Sequence, residues 1–168
     1  MTKNRSEAQA AEGDRSGEGS FLGFCIDEEG RIDLSQKSIE KFKARVRESF
    51  DNQRQRKSSK EIREQWQSYL VGWYGYFKLS EHPWRMKNFG PWIRRHIRKL
   101  YWQRWHKSDG RQNALRRLGV SEKLVKLGRC SKGDWAMGKH VVMHTALSNR
   151  MLRKHGFWVP EDLAETRG

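Results

Sequence analysis

The sequence predicts a mainly α-helical fold with a short β-hairpin near its N-terminus. Apolar residues recur at intervals of three and four through most of the chain, as in Ile39, Phe42 and Val46, or Ile62, Trp66, Tyr69, Leu70 and Trp73. Strand-like runs are confined to the residues on either side of Gly30. Helix start and stop signals, Ser58 with Glu61, Pro91, Gly119, Gly128 and Gly156, fall at the ends of the periodic segments.

In order along the chain, the first twenty residues are polar and charged with no apolar stretch, and read as a disordered tail without a signal peptide. Phe21 to Ile26 and Arg31 to Leu34 then form the hairpin, with Asp27, Glu28 and Glu29 as solvated acids in its turn. Ser35 caps a helix that buries Ile39, Phe42 and Val46 and leaves Lys41, Lys43, Arg45 and Arg47 outside. The polar run "DNQRQRKSS" is a loop. A second helix starts with a capping box at Ser58 and Glu61. "HPW" and "FGPW" interrupt the chain, and Pro91 sits in the first turn of a third helix reaching about His106. Gln112 to Leu118 and Ser121 to Leu127 are shorter helices ending at glycines, and Val141 to His155 is a last one stopped by Gly156. After Pro160 the chain reads as a polar tail.

A formal net charge of +15 attracts phosphate backbones or anionic surfaces. No run approaches the roughly 20 apolar residues a spanning helix needs, so nucleic acid is the expected partner class and no membrane is. Two isolated cysteines, Cys25 and Cys130, make neither a disulfide framework nor a four-cysteine zinc site, and point to a reducing cytoplasm. His140 and His144 are four residues apart but lack further ligands nearby, the glycines form no GxxxxGK loop, and no paired-carboxylate motif is present. No metal, cofactor or catalytic group is expected.

The third helix carries the strongest functional signal. In "PWIRRHIRKLYWQRWHK", Trp92, Ile93, His96, Ile97, Leu100 and Tyr101 form a core-facing stripe, which places Arg94, Arg95, Arg98, Lys99 and Arg104 on other faces. Lys107, Arg111, Arg116 and Arg117 continue the charge, with only Asp109 against them. Like charges at helical spacing repel, whereas a merely solvated face mixes signs, so the patch is read as a phosphate-contacting one. Trp102 and Trp105 are expected to bury, with stacking on unpaired bases as the alternative.

"YLVGWYGYFKLS" (Tyr69 to Ser80), the basic helix, "RRLGV" (Arg116 to Val120) and "SKGDWAMGKHVVMHTALSNRMLRKHGF" (Ser131 to Phe157) together resemble the maturase-specific domain, domain X, of group II intron-encoded reverse transcriptases. Upstream, "FLGFCIDEEGRIDLSQKSIEKFKARVRE" resembles the primer-grip hairpin and first thumb helix of the same proteins. The resemblance implies a thumb-like segment over 21–57 after the tail 1–20, a helical maturase domain over 58–159, and a polar tail over 160–168. Gly75 and Asp134 stand where the family often has asparagine and proline. The family polymerase needs palm and finger regions with an adjacent aspartate pair, and this chain has no Asp-Asp dipeptide, so polymerisation by the chain alone is not expected; nor are the DNA-binding segment and zinc-containing endonuclease of some relatives.

The resemblance implies binding of group II intron RNA, with the RNA supplying the splicing chemistry. The positions it marks for RNA contact are Arg94, Arg95, Arg98, Lys99, Arg104, Lys107, Arg111, Arg116 and Arg117, then Lys132, Lys139 and Arg150. Lys37, Lys41 and Lys43 on the thumb-like helix would follow a duplex backbone. The alternatives are the C-terminal piece of a split reverse transcriptase acting with a separate palm subunit, and an inactive remnant of a mobile element.

Overall fold

In the hairpin, β1 (Phe24–Ile26) pairs antiparallel with β2 (Ile32–Leu34), with Phe24 opposite Leu34, Cys25 opposite Asp33 and Ile26 opposite Ile32. The structure, a computed structural model, describes residues 22–51, 56–82, 88–129 and 132–167, so the predicted N-terminal tail and most of the loop after Asp51 lie outside the described residues. Asp27 is not merely a solvated turn residue. Its Oδ1 accepts the Glu29 and Arg31 N–H groups at 3.0 and 2.8 Å, while Gly30 takes the left-handed φ of +78° that closes the turn. The Arg31 N–H first, and then His82, hold this carboxyl far below its ordinary range. A two-stranded hairpin is marginal alone; here Phe24 packs on Tyr76 and Phe77, and the Ser38 hydroxyl donates to the Gly23 carbonyl at 2.9 Å.

Helix α1 (Gln36–Asp51) starts where Ser35 Oγ accepts the Ser38 N–H at 3.2 Å, and buries Ile39, Phe42, Val46 and Phe50. Helix α2 (Ser59–Phe77) has the predicted capping box: Glu61 N–H bonds Ser58 Oγ at 3.2 Å and Ser58 N–H bonds Glu61 Oε2 at 2.7 Å. Its buried stripe of Ile62, Trp66, Leu70 and Trp73 meets α1 through Phe42, which stacks on Trp73 with centroids 4.0 Å apart.

Helix α3 (Phe89–Arg104) begins two residues before Pro91, and its N-cap Asn88 makes no side-chain cap bond. The chain's far end takes that role. Glu161 Oε1 accepts the Gly90 N–H at 3.0 Å, and a Cβ on Gly90 would lie 2.2 Å from that oxygen. Glu161 belongs to α9 (Pro160–Arg167), a helix in the segment expected to be a polar tail. Buried Pro160 and Leu163, and a buried Asp162 paired with Arg94 at 3.1 Å, hold it in place. So short an apolar signal leaves no periodicity to read.

Helix α4 (Ser108–Arg117) starts four residues earlier than predicted. His106 adopts a left-handed φ of +52°, and Gly110 allows α4 to begin hard against α3, since a Cβ there would lie 2.3 Å from the Trp105 carbonyl oxygen. Gly119 ends α4 with φ +77° as expected. The next predicted helix is a short α5 (Glu122–Val125) tightening into a 3-10 turn, Lys126–Arg129, and α6 (Asp134–Met137) is a further short helix that periodicity did not show. The predicted helix from Val141 to His155 is two helices, α7 (Val141–Ala146) and α8 (Asn149–Lys154). Between them Leu147 leaves helical geometry and Ser148 caps anew, its Oγ accepting the Met151 N–H at 3.2 Å.

Buried apolar residues from Leu34 to Leu163 join in one hydrophobic cluster, so the hairpin, the central helices and α9 share a core. Among the described residues no helix is long and apolar enough to cross a membrane.

Candidate nucleic-acid interface

The central position of α3 governs which of its cations are open. A stripe pattern assumes one covered side, but α1, α6 and α9 all pack against this helix. Its buried set accordingly extends beyond the predicted stripe to Phe89, Arg98 and Trp102, while Trp92 and Tyr101 are only half-buried.

The five basic residues of α3 therefore do not form a free one-sign face. Arg94 pairs with Asp162. Arg95 donates from Nε to the Trp135 carbonyl at 2.9 Å and lies 3.8 Å over the Trp135 ring. Lys99 Nζ sits 2.7 Å from Asp51, which also holds His96 Nδ1 at 2.6 Å. Arg104 bonds Ser59 Oγ at 3.1 Å and the Lys57 carbonyl. Arg98 is 2% exposed: its Nε donates to the Leu147 carbonyl at 2.9 Å and its Nη2 to Asn149 Oδ1 at 2.7 Å. It satisfies the backbone that the α7–α8 break leaves open, and is withdrawn from the expected RNA-contacting set because the surface does not reach it. Burial, with Arg94 nearby, lowers its pKa to about 10, so it stays charged at neutral pH.

Open charge lies around the α3–α4 elbow and beyond. Lys107, Arg117, Lys132, Lys139 and Arg150 are exposed and form no ion pair among the described residues, as do Lys37 and Lys41 on α1, with Lys43 half-buried beside them. Arg116 is exposed but engaged with Glu122, at 2.7 and 3.2 Å, an arrangement that raises the arginine pKa and lowers that of the acid. Arg111 covers the Trp102 ring at 4.2 Å, with Asp134 at 4.0 Å.

Two clefts flank the elbow. One, of about 600 Å³, runs between Tyr101 of α3 and its C-cap Trp105, Arg117 of α4, and Met151, His155 and Phe157 of the α8 segment. The other, of about 380 Å³, is bounded by Gln103, Arg104, His106, Lys107, Arg111 and Asp134. The two tryptophans that sequence treated together are separated by this geometry. Trp102 is 0% exposed beneath Arg111, whereas Trp105 is half-buried and lines the larger cleft.

His140 caps α7, its Nδ1 accepting the Val142 N–H at 3.3 Å. Among the described residues no group of three or more histidine, cysteine or acidic side chains could hold a metal. The cleft residues Asn113, Met151 and His155 were not singled out from sequence. They converge where the chain breaks at Leu147 and returns α8 toward α4, and the local signal for that break is Ser148, an N-cap residue inside a run whose periodicity is helical throughout. Open cations beside an aromatic-walled cleft suit a polyanion that carries planar rings.

Compared with protein-family models, residues 39–119 match the one described as "Group II intron, maturase-specific domain". That span runs from α1 to the glycine ending α4 and so includes the elbow. Among curated proteins there is no match to the chain.

Proposed function

From the premise that residues 39–119 of this chain are a group II intron maturase-specific domain, we propose that the protein binds group II intron RNA and promotes its folding and splicing, with no polymerase activity of its own. The family match carries this reading, and the surplus of open cations supports it. The RNA supplies the chemistry. The protein supplies binding energy that exists only for the folded RNA: a ligand present at a hundred times its dissociation constant stabilises the state it binds by about 2.7 kcal/mol. Lys107, Arg111 and Arg117 at the elbow, with Lys132, Lys139 and Arg150, make the phosphate contacts; Lys37, Lys41 and Lys43 follow a duplex backbone. The reducing cytoplasm implied by the sparse cysteines is the compartment for this work.

The test is the salt dependence of binding to structured intron RNA. Each phosphate contact contributes about 0.7 to 0.9 to the slope of log affinity against log salt. Replacing Lys107, Arg117 and Arg150 together with glutamine should lower the magnitude of that slope by about two to three. A slope unchanged by the triple substitution would sink the proposal.

A second reading is favoured by one observation. Leu22, Ile26, Ile32, Tyr76 and Leu79 are exposed apolar residues at the hairpin and the end of α2, and they adjoin, since Tyr76 Oη donates to the Leu22 carbonyl and Glu81 N–H to that of Ile32. Such a patch suits a protein partner, and the partner proposed is a separate reverse transcriptase palm subunit. Co-purification with a palm protein, and primer extension only when both are present, would establish it; Ile26→Asp with Leu79→Asp should abolish both.

A further inference from the structure

We propose that the cleft between α3, α4 and α8 receives an unpaired nucleobase of the bound RNA, stacked on Trp105, with its phosphate held by Arg117. This rests on the RNA-binding reading and names a ligand for one place within it. The walls include Tyr101, Trp105 and Phe157, and the cleft volume of about 600 Å³ leaves ample room for a planar ring. Among the described residues no acidic side chain lines it, while Arg117, exposed and without an ion pair among them, and His155 stand on its walls. Asn113, on the same helix as Arg117, brings an amide NH2 that can donate to a base edge, its Oδ1 already accepting from Arg116 at 3.5 Å.

Charge complementarity decides the occupant. An apolar protein side chain in this cleft would desolvate Arg117 and bring it no counter-charge. A nucleotide fills the apolar walls with its ring and supplies an anion to Arg117 in the same step. A base in a continuous duplex is stacked on both faces and cannot enter, so the site selects loops, bulges and single strands.

The probe is an oligoadenylate of about twelve nucleotides carrying one 2-aminopurine, against a duplex of equal length, titrated with the full chain. Stacking on Trp105 should quench the 2-aminopurine. Trp105→Ala should remove the quenching and weaken single-strand binding by about five- to hundredfold. Because Trp105 also ends α3, a second variant is needed: Ala114→Phe, from a half-buried position on the cleft wall, should place a ring where the base would stack and give the same loss, with circular dichroism and the duplex affinity unchanged. If Ala114→Phe binds the oligonucleotide with full affinity and quenching, the cleft takes no base, and the proposal is overturned while RNA binding stands. Should neither the oligonucleotide nor structured intron RNA bind at all, it is the RNA-binding reading that has failed, and this inference with it.

Discussion

Arg98→Met distinguishes an arginine that builds the fold from one that serves the surface. The substitution keeps most of the stem volume and removes two charge-assisted hydrogen bonds, to the Leu147 carbonyl at 2.9 Å and to Asn149 Oδ1 at 2.7 Å. Such bonds contribute about 1.5 to 3 kcal/mol each, and a buried carbonyl left without a donor costs about 1 to 3 kcal/mol. Against this, removing a cation held at 2% exposure, with no carboxylate among the described residues bonded to it, recovers part of its desolvation cost. The hydrogen-bond loss is the larger effect, leaving a net destabilisation of about 2 kcal/mol. For a chain of this size that lowers the thermal midpoint by on the order of 4 to 8 °C, read by circular dichroism. Below the transition, the salt slope of RNA binding should equal that of the unsubstituted protein. An unchanged midpoint together with a reduced slope would refute the argument, since it would mean that Arg98 reaches phosphate.

Acid should weaken the fold through His96. Burial pushes its imidazole below the ordinary range despite the Asp51 bond, so between that lowered value and the ordinary value of about 6.5 the unfolded chain binds more protons. The thermal midpoint should therefore fall as pH drops below about 6.5, and a flat or rising midpoint would contradict this. Gly110→Ala should lower stability by about 1 to 3 kcal/mol in denaturant titrations, because its Cβ would lie 2.3 Å from the Trp105 carbonyl oxygen and α4 must shift. Asp162→Asn should destabilise by about 3 kcal/mol, as it leaves the Arg94 charge, 13% exposed, without its partner; a cost under about 0.5 kcal/mol would show that α9 is not held by this pair.

Local chemistry made much of the fold legible. The Ser58–Glu61 capping box, the Ser35 cap, the stripes of α1 and α2 and the stops at Gly119 and Gly156 depend on residues within one or two turns, and each stands where spacing puts it. The misses share a different cause. Val141 to His155 has helical periodicity throughout, yet breaks at Leu147, where Arg98, 49 positions away, takes the freed carbonyl. Segment 160–167 looked like a tail because its hold on the core comes from Gly90 and Arg94 rather than from its own pattern.

The candidate site divides along the same line. Summed charge is additive over the chain, so the sequence by itself determined the net +15 and, with it, the attraction to a polyanion. Which cations remain free is not additive. It depends on where distant acids and carbonyls come to rest: Asp51 beside Lys99, Asp162 beside Arg94, the Leu147 carbonyl beside Arg98. Only the tertiary structure could decide that, because a side chain's partners are set by packing across the core, while periodicity reports just one helix and its faces. Packing moved the open charge from the face of α3 to the elbow and its clefts, and it separated a buried Trp102 from a Trp105 that faces an opening.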